Sequence, residues 1–202
     1  IATALAGHFG PGAIAGYGTA SRLEYLLVPL IFGLGAPLLA MVGTCIGAGQ
    51  RERALRATWA GAGIAFVLAE TIGLAAALLP RPWLLLFGDD PAMLEAGAHY
   101  LRAVGPLYGF FGVGLVLYFA SQGAGRLLWP VVGNLMRLAV AGAGGWLALR
   151  LSGDLTQVFV AQGVALVVYG VVIASAIAGG GWFGRVGWPR TPSRLMRRLA
   201  SP

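Results

Sequence analysis

Gly47-Ala48-Gly49-Gln50-Arg51-Glu52-Arg53-Ala54 separates two long apolar runs with a glycine-rich turn and a short basic stretch. Gln122-Gly123-Ala124-Gly125-Arg126-Leu127-Leu128-Trp129-Pro130 does the same further along. Each sits where one apolar segment ends and the next begins, so the chain is expected to turn back at both. Hinges of this kind between apolar runs point to a chain that crosses a membrane several times.

The runs on either side are long enough to cross a bilayer, which takes about 20 apolar residues for about 30 Å of hydrocarbon. Six spans are expected: up to residue 16 (truncated at its start), 23–46, 54–79, 94–120, 127–149 and 155–178. Only helices and closed barrels satisfy every backbone group in lipid. Apolar runs of this length exclude the alternating pattern of a barrel. The expected fold class is therefore all-α and integral to the membrane: a six-helix transmembrane bundle over 1–180, then a basic tail over 181–202. Composition agrees. The chain is 58% hydrophobic and 10% charged, where soluble domains carry about 25% charged residues. The mean hydropathy is +0.79. The chain starts at Ile1 with no signal-type basic segment, so it is expected to be part of a longer protein.

Net charge is +7, and all 14 basic residues are Arg. Five lie in the tail (Arg185, Arg190, Arg194, Arg197, Arg198), and the others are spread between apolar runs. That spacing does not argue for nucleic acid, and the basic tail suits anionic lipid at a cytoplasmic surface. Arg51, Arg53, Arg56, Arg126 and the tail fall on one side. Arg22, Arg81, Arg102 and Arg150 fall on the other, diluted by Asp89, Asp90, Glu95 and Asp154. The positive-inside rule then places both hinges and the C-terminus in the cytoplasm. Trp83, Trp129, Trp146 and Trp182 lie near span ends, as interfacial anchors do.

Pro29 and Pro37 fall inside the second span and Pro106 inside the fourth. Proline removes a helix hydrogen bond and kinks the chain. Glycines four apart (Gly12/Gly16, Gly43/Gly47, Gly105/Gly109) allow close helix approach. Tight packing is one reading of these features. Bending during alternating access is the other, for the second and fourth spans.

The run Ala15-Gly16-Tyr17-Gly18-Thr19-Ala20-Ser21-Arg22-Leu23-Glu24 continues through Pro29 and Phe32-Gly33-Leu34-Gly35-Ala36-Pro37 to Met41-Val42-Gly43 and Ile46-Gly47-Ala48-Gly49. Pro91 through Tyr100-Leu101-Arg102 follows, then Gln122-Gly123-Ala124-Gly125 with Pro130 and Gly133-Asn134. In order and spacing these elements resemble the multidrug and toxic compound extrusion (MATE) family, over roughly 2–149. The resemblance implies half of a twelve-helix transporter, and the basic tail suggests the C-terminal half. The implied activity is antiport: export of drugs or amphipathic, often cationic, compounds in exchange for H⁺ or Na⁺. The implied partners are membrane lipid, a small organic substrate and the missing N-terminal six-helix half. The implied location is a bacterial cytoplasmic (inner) membrane. The match has one gap. The family's cation-coupling carboxylates, often in the first and fourth spans of that half, have no counterpart, since the fourth span holds no Asp or Glu after Glu95.

Ionisable groups inside spans cost about 2.5–3.5 kcal/mol on insertion scales and are functional candidates. Glu70 lies about 15 Å from the outer end of its span, and Arg137 about 18 Å, at 1.5 Å rise per residue. A Glu70–Arg137 pair at similar depth is therefore expected, either as a permanent ion pair joining two helices or as a proton-exchanging site. Glu24 has three readings: an interfacial charge, a carboxylate lining the cavity, or the partner of Arg137. The resemblance favours Glu24 over Glu70, because the second span lines the family's cavity. Tyr25, Tyr108, Tyr118 and Gln122 have two readings: packing or interface residues, or aromatic and polar contacts for a cationic compound. The remaining chemistry points away from an enzyme. His8 and His99 have no ligand-spaced partners for a metal, the serines have no His–Asp arrangement, and no phosphate loop is present. No cofactor is expected beyond the coupling ion, and transport would be secondary. Alternatives are a lipid-linked oligosaccharide flippase, which predicts several cations along the cavity, and a non-transporting membrane fragment.

Overall fold

The structure, a computed structural model, describes residues 2–182, and every regular element among them is helical. The elements are α1 (Ala2–Gly7), α2 (Pro11–Gly47), α3 (Arg51–Leu78), α4 (Pro80–Leu84), α5 (Pro91–Val104), α6 (Tyr108–Gly123), α7 (Leu128–Ala139), α8 (Gly145–Leu151) and α9 (Leu155–Ala178). A tight 3₁₀ turn, Gly105–Leu107, joins α5 to α6, and a π-helical stretch, Val140–Gly144, joins α7 to α8. Five stretches are long and apolar enough to cross a membrane: α2, α3, α5–α6, α7–α8 and α9. The basic tail expected after residue 182 lies outside the described residues, and so do its five arginines.

The first span differs from expectation. Residues 11–16 belong to α2, which runs 37 residues, and the remnant before it is the six-residue α1. The cause is local. Gly10 takes φ +98°, and Pro11 begins a new helix at a position where its missing N–H costs nothing.

Both hinges close in the same way. In the first, Gly49 (φ +71°) lets Gln50 N donate to Cys45 O at 2.8 Å. In the second, Gly125 (φ +66°) lets Arg126 N donate to Ser121 O at 2.9 Å. A left-handed glycine followed by a six-to-one hydrogen bond is the Schellman ending of a helix. The repeated Gly-Ala-Gly therefore encodes two equal stops. On the opposite side the helices start from aspartates: Asp90 accepts from Met93 N at 2.8 Å, and Asp154 accepts from Thr156 N at 2.9 Å. These are N-caps at α5 and α9.

At the centre, α6 packs on α2, α3 and α9, while α7 and α8 rest mainly on α9. Small residues set the spacing. A side chain at Gly73 of α3 would collide with the carbonyl of Gly105, and one at Gly16 of α2 would lie 2.6 Å from Met93 O. Leu27, Ile31, Leu101, Val116, Leu117, Phe159 and Ile173 fill the core between these helices. Trp83 donates to Thr19 O at 3.2 Å, which folds α4 back onto α2. Trp182 is buried rather than at the lipid interface expected of it. The outer faces stay apolar, with Leu26, Phe32, Val67, Leu78, Leu128 and Leu135 exposed. That is what a bundle surrounded by lipid or by another bundle requires.

Candidate functional site

Tyr17, Ser21 and Glu24 recur at i, i+4 and i+7 on α2, so all three share one face. Across from them Asn134 and Arg137, three apart, share a face of α7. The two faces meet. Arg137 Nη2 donates to Glu24 Oε1 at 2.5 Å. Tyr100 of α5 donates to the other carboxylate oxygen, Glu24 Oε2, at 3.4 Å. The guanidinium also lies over the rings of Phe111 (5.1 Å) and Tyr169 (5.7 Å), where the ring quadrupoles favour a cation.

The pair is partly open. The Arg137 side chain is 30% exposed and the Glu24 side chain 18%. Two cavities flank it. One, about 160 Å³, is bordered by Tyr17, Ser21, Tyr25, Tyr100 and Gln162. The other, about 390 Å³, is bordered by Tyr25, Phe111, Tyr118, Asn134 and Tyr169. Glu24, Tyr25 and Arg137 line both. Behind the carboxylate, Tyr17, Tyr100 and Phe159 form an edge-and-stack cluster with centroids 5.2–6.1 Å apart. That cluster holds α2, α5 and α9 in register.

Two irregularities of backbone border this face. Pro29 has no N–H, so the carbonyl of Tyr25, one turn earlier, lacks its helical donor. The π-helical stretch begins three residues after Arg137, and Gln162 Nε2 reaches the carbonyl of Ala141 at 3.4 Å. Such bulges release carbonyls from the regular ladder and are frequent at functional sites.

The expected Glu70–Arg137 pair is not formed. Glu70 Oε2 instead accepts from the backbone N–H of Gly109 at 2.8 Å. The reason lies in the Pro106 break: α6 starts afresh after the 3₁₀ turn, with no side-chain cap of its own. Its first N–H groups have no intrahelical partner. A carboxylate from α3 meets that need and complements the helix dipole. Arg137 takes the third reading given for Glu24, as its ion-pair partner.

The remaining candidates separate. Tyr25 is 69% exposed beside the pair. Tyr118 lines the larger cavity, and Gln122, one turn on, donates to its Oη at 2.8 Å. Gln122 therefore positions Tyr118 and lines neither cavity. Tyr108 is fully buried and opens on neither cavity, because α3 closes over it where Gly73 permits close approach. Pro29 and Pro37 lie within continuous α2, and Pro106 marks the α5–α6 break. Sequence reasoning missed Tyr17, Tyr100, Gln162, Asn134 and Tyr169. Tyr17, Tyr100 and Asn134 lay in quoted motifs, and the i, i+4, i+7 stripe on α2 was available to find Tyr17 and Ser21.

Comparison with known proteins places this site in context. The family model MatE matches residues 1–145. The chain is similar to the FAD transporter of Shewanella oneidensis, 27% identical over 140 residues, which is 69% of this chain and 31% of that protein. It is similar to the probable multidrug resistance protein NorM of Thermotoga maritima, 25% identical over 123 residues, covering 61% of this chain and 26% of that protein. The fold matches the MATE transporter ClbM in complex with Rb⁺ at a TM-score of 0.75. That match has 21% identity and covers 92% of this chain and 41% of that one. The aligned part thus spans less than a third of the length of these curated relatives.

Proposed function

The chain belongs to the MatE family, and we propose that it forms the C-terminal half of a secondary antiporter. Its substrates are amphipathic, often cationic, organic compounds, exported in exchange for H⁺ or Na⁺ across a bacterial cytoplasmic membrane. The observation that carries this reading is the Glu24–Arg137 pair, partly exposed between two aromatic-bordered cavities. A buried permanent pair would be closed off by packing. This one is reachable, so a proton, a sodium ion or a cationic substrate can compete with Arg137 for Glu24. Any winner must leave Arg137 cradled by Phe111 and Tyr169, which keeps the displaced cation from being stranded.

The second half of the cavity comes from an N-terminal six-helix partner in this reading. The hinges and the C-terminus face the cytoplasm. The flippase alternative expects several cations along the cavity. Arg137 is the one cation among the described residues that line either of the two cavities, which favours the antiporter.

The test is dye export by the intact protein in proteoliposomes. A fluorescent organic cation should move against its gradient when a proton or sodium gradient is imposed. Equal dye movement with and without either gradient would contradict secondary antiport.

Alternating access in this reading bends α2 at Pro29, one turn beyond Glu24. Pro29→Ala restores the missing hydrogen bond to Tyr25 O and stiffens the helix. Export is expected to slow by about tenfold, the equivalent of roughly 1.4 kcal/mol on the limiting step. Unchanged turnover in that variant would remove Pro29 from the mechanism.

A further inference from the structure

At the end of the bundle opposite the two hinges, α3, α4 and α5 enclose a groove of about 810 Å³. Arg81 of α4 and Arg102 of α5 both line it and both are exposed. Leu79 and Leu85 line it too, at 68% and 54% exposure. Neither arginine has an ion pair among the described residues.

The position of Arg102 is the unusual part. It is the twelfth residue of α5, about 16 Å along the helix from Pro91. The α5–α6 stretch of 33 residues, interrupted by the 3₁₀ turn at Gly105–Leu107, is about 50 Å long, against about 30 Å of hydrocarbon. Centred in the bilayer, that leaves Arg102 about 6 Å inside the hydrocarbon edge. An unpaired cation there is costly and must either snorkel to the headgroups or find an anion. Arg81 sits at the turn where α3 ends, at headgroup level. The snorkelling path of Arg102 therefore leads toward Arg81.

Charge accounting narrows the occupant. Glu95 is the one carboxylate lining the groove, and His99 is the other titratable group. His99 Nδ1 is 3.5 Å from the Thr156 hydroxyl of α9. Asp90, close by, is committed to capping α5. Among the lining side chains two arginines against one glutamate leave one net positive charge beside the exposed leucines, with Asp89 and Asp90 outside the lining.

We propose that this groove binds an anionic glycerophospholipid, with Arg81 and Arg102 on its phosphodiester and Leu79 and Leu85 along its acyl chains. Bidentate guanidinium geometry suits a phosphate, and the leucines supply what a free anion cannot use. The bound lipid would seat α4 against α5 at the membrane surface.

The test is native mass spectrometry of the intact protein released from nanodiscs of equal phosphatidylglycerol and phosphatidylcholine. The wild-type protein should retain phosphatidylglycerol over phosphatidylcholine by about fivefold, the scale of one uncompensated arginine at an anionic surface. Arg81→Gln with Arg102→Gln should lower this ratio by about fivefold. Millimolar inorganic phosphate should not displace the lipid. Equal retention of both lipids by the wild-type protein would overturn the proposal without any variant. So would an unchanged ratio in the double variant, or displacement by phosphate, which would mark a site for a free anion.

Discussion

Arg137→Ala is expected to abolish gradient-driven export and to destabilise the protein by about 3 kcal/mol, the low end of the range for breaking a buried ion pair. The low end applies because Arg137 is 30% exposed and water can reach the orphaned carboxylate. Two losses add. The carboxylate of Glu24 keeps only its 3.4 Å contact to Tyr100, and the rings of Phe111 and Tyr169 lose their cation. The double variant Glu24→Gln/Arg137→Ala separates the contributions. It leaves no uncompensated charge, so stability should recover by more than half while export stays absent. Stability that falls equally in the single and double variants would mean that the guanidinium acts by packing alone. Export that survives Arg137→Ala would remove the pair from the pathway.

Glu70→Ala is expected to cost about 2–3 kcal/mol, because the Gly109 N–H then faces the membrane interior without an acceptor. Glu70→Gln keeps an oxygen in the same place, so its cost should fall below about 1 kcal/mol. What it loses is the charge at the N-terminus of α6. Export should persist in Glu70→Gln, in contrast to changes at Glu24. Thermal unfolding in detergent, run beside the export assay, checks both. A glutamine variant as unstable as the alanine variant would contradict the capping role. Loss of export in a stable Glu70→Gln would return this carboxylate to the ion pathway.

The contrast between these two glutamates shows where the sequence was informative. Hydropathy and the repeated Gly-Ala-Gly marked the span ends well, because those signals are local: a left-handed glycine and a six-to-one hydrogen bond need nothing distant. The start of α2 was missed because Gly10-Pro11 divides an apolar run without interrupting its hydropathy. Depth along a span placed Glu70 and Arg137 at similar levels, and that was not enough. Depth does not say which helices are neighbours. α3 packs on α2, α5 and α6, while α7 packs chiefly on α9. Nor could depth foresee that a helix restarting after Pro106 would need an acceptor from elsewhere. Which of its two readings Tyr108 would take was not legible for a related reason, since its burial depends on glycines of a different helix. The polar stripe of Tyr17, Ser21 and Glu24 was legible at helical spacing. Tyr169 and Gln162 were not, because only the packing of α9 beside α7 brings them to the pair.

The measurement that bears most directly on the central claim is cation-dye export by Glu24→Gln in proteoliposomes under imposed proton and sodium gradients, beside the wild-type protein. If Glu24 is where the coupling ion or substrate displaces Arg137, the variant will bind dye but lose gradient-driven export by at least about tenfold, roughly 1.4 kcal/mol. Export by a folded Glu24→Gln at the wild-type rate, with the wild-type dependence on the gradient, would contradict the account.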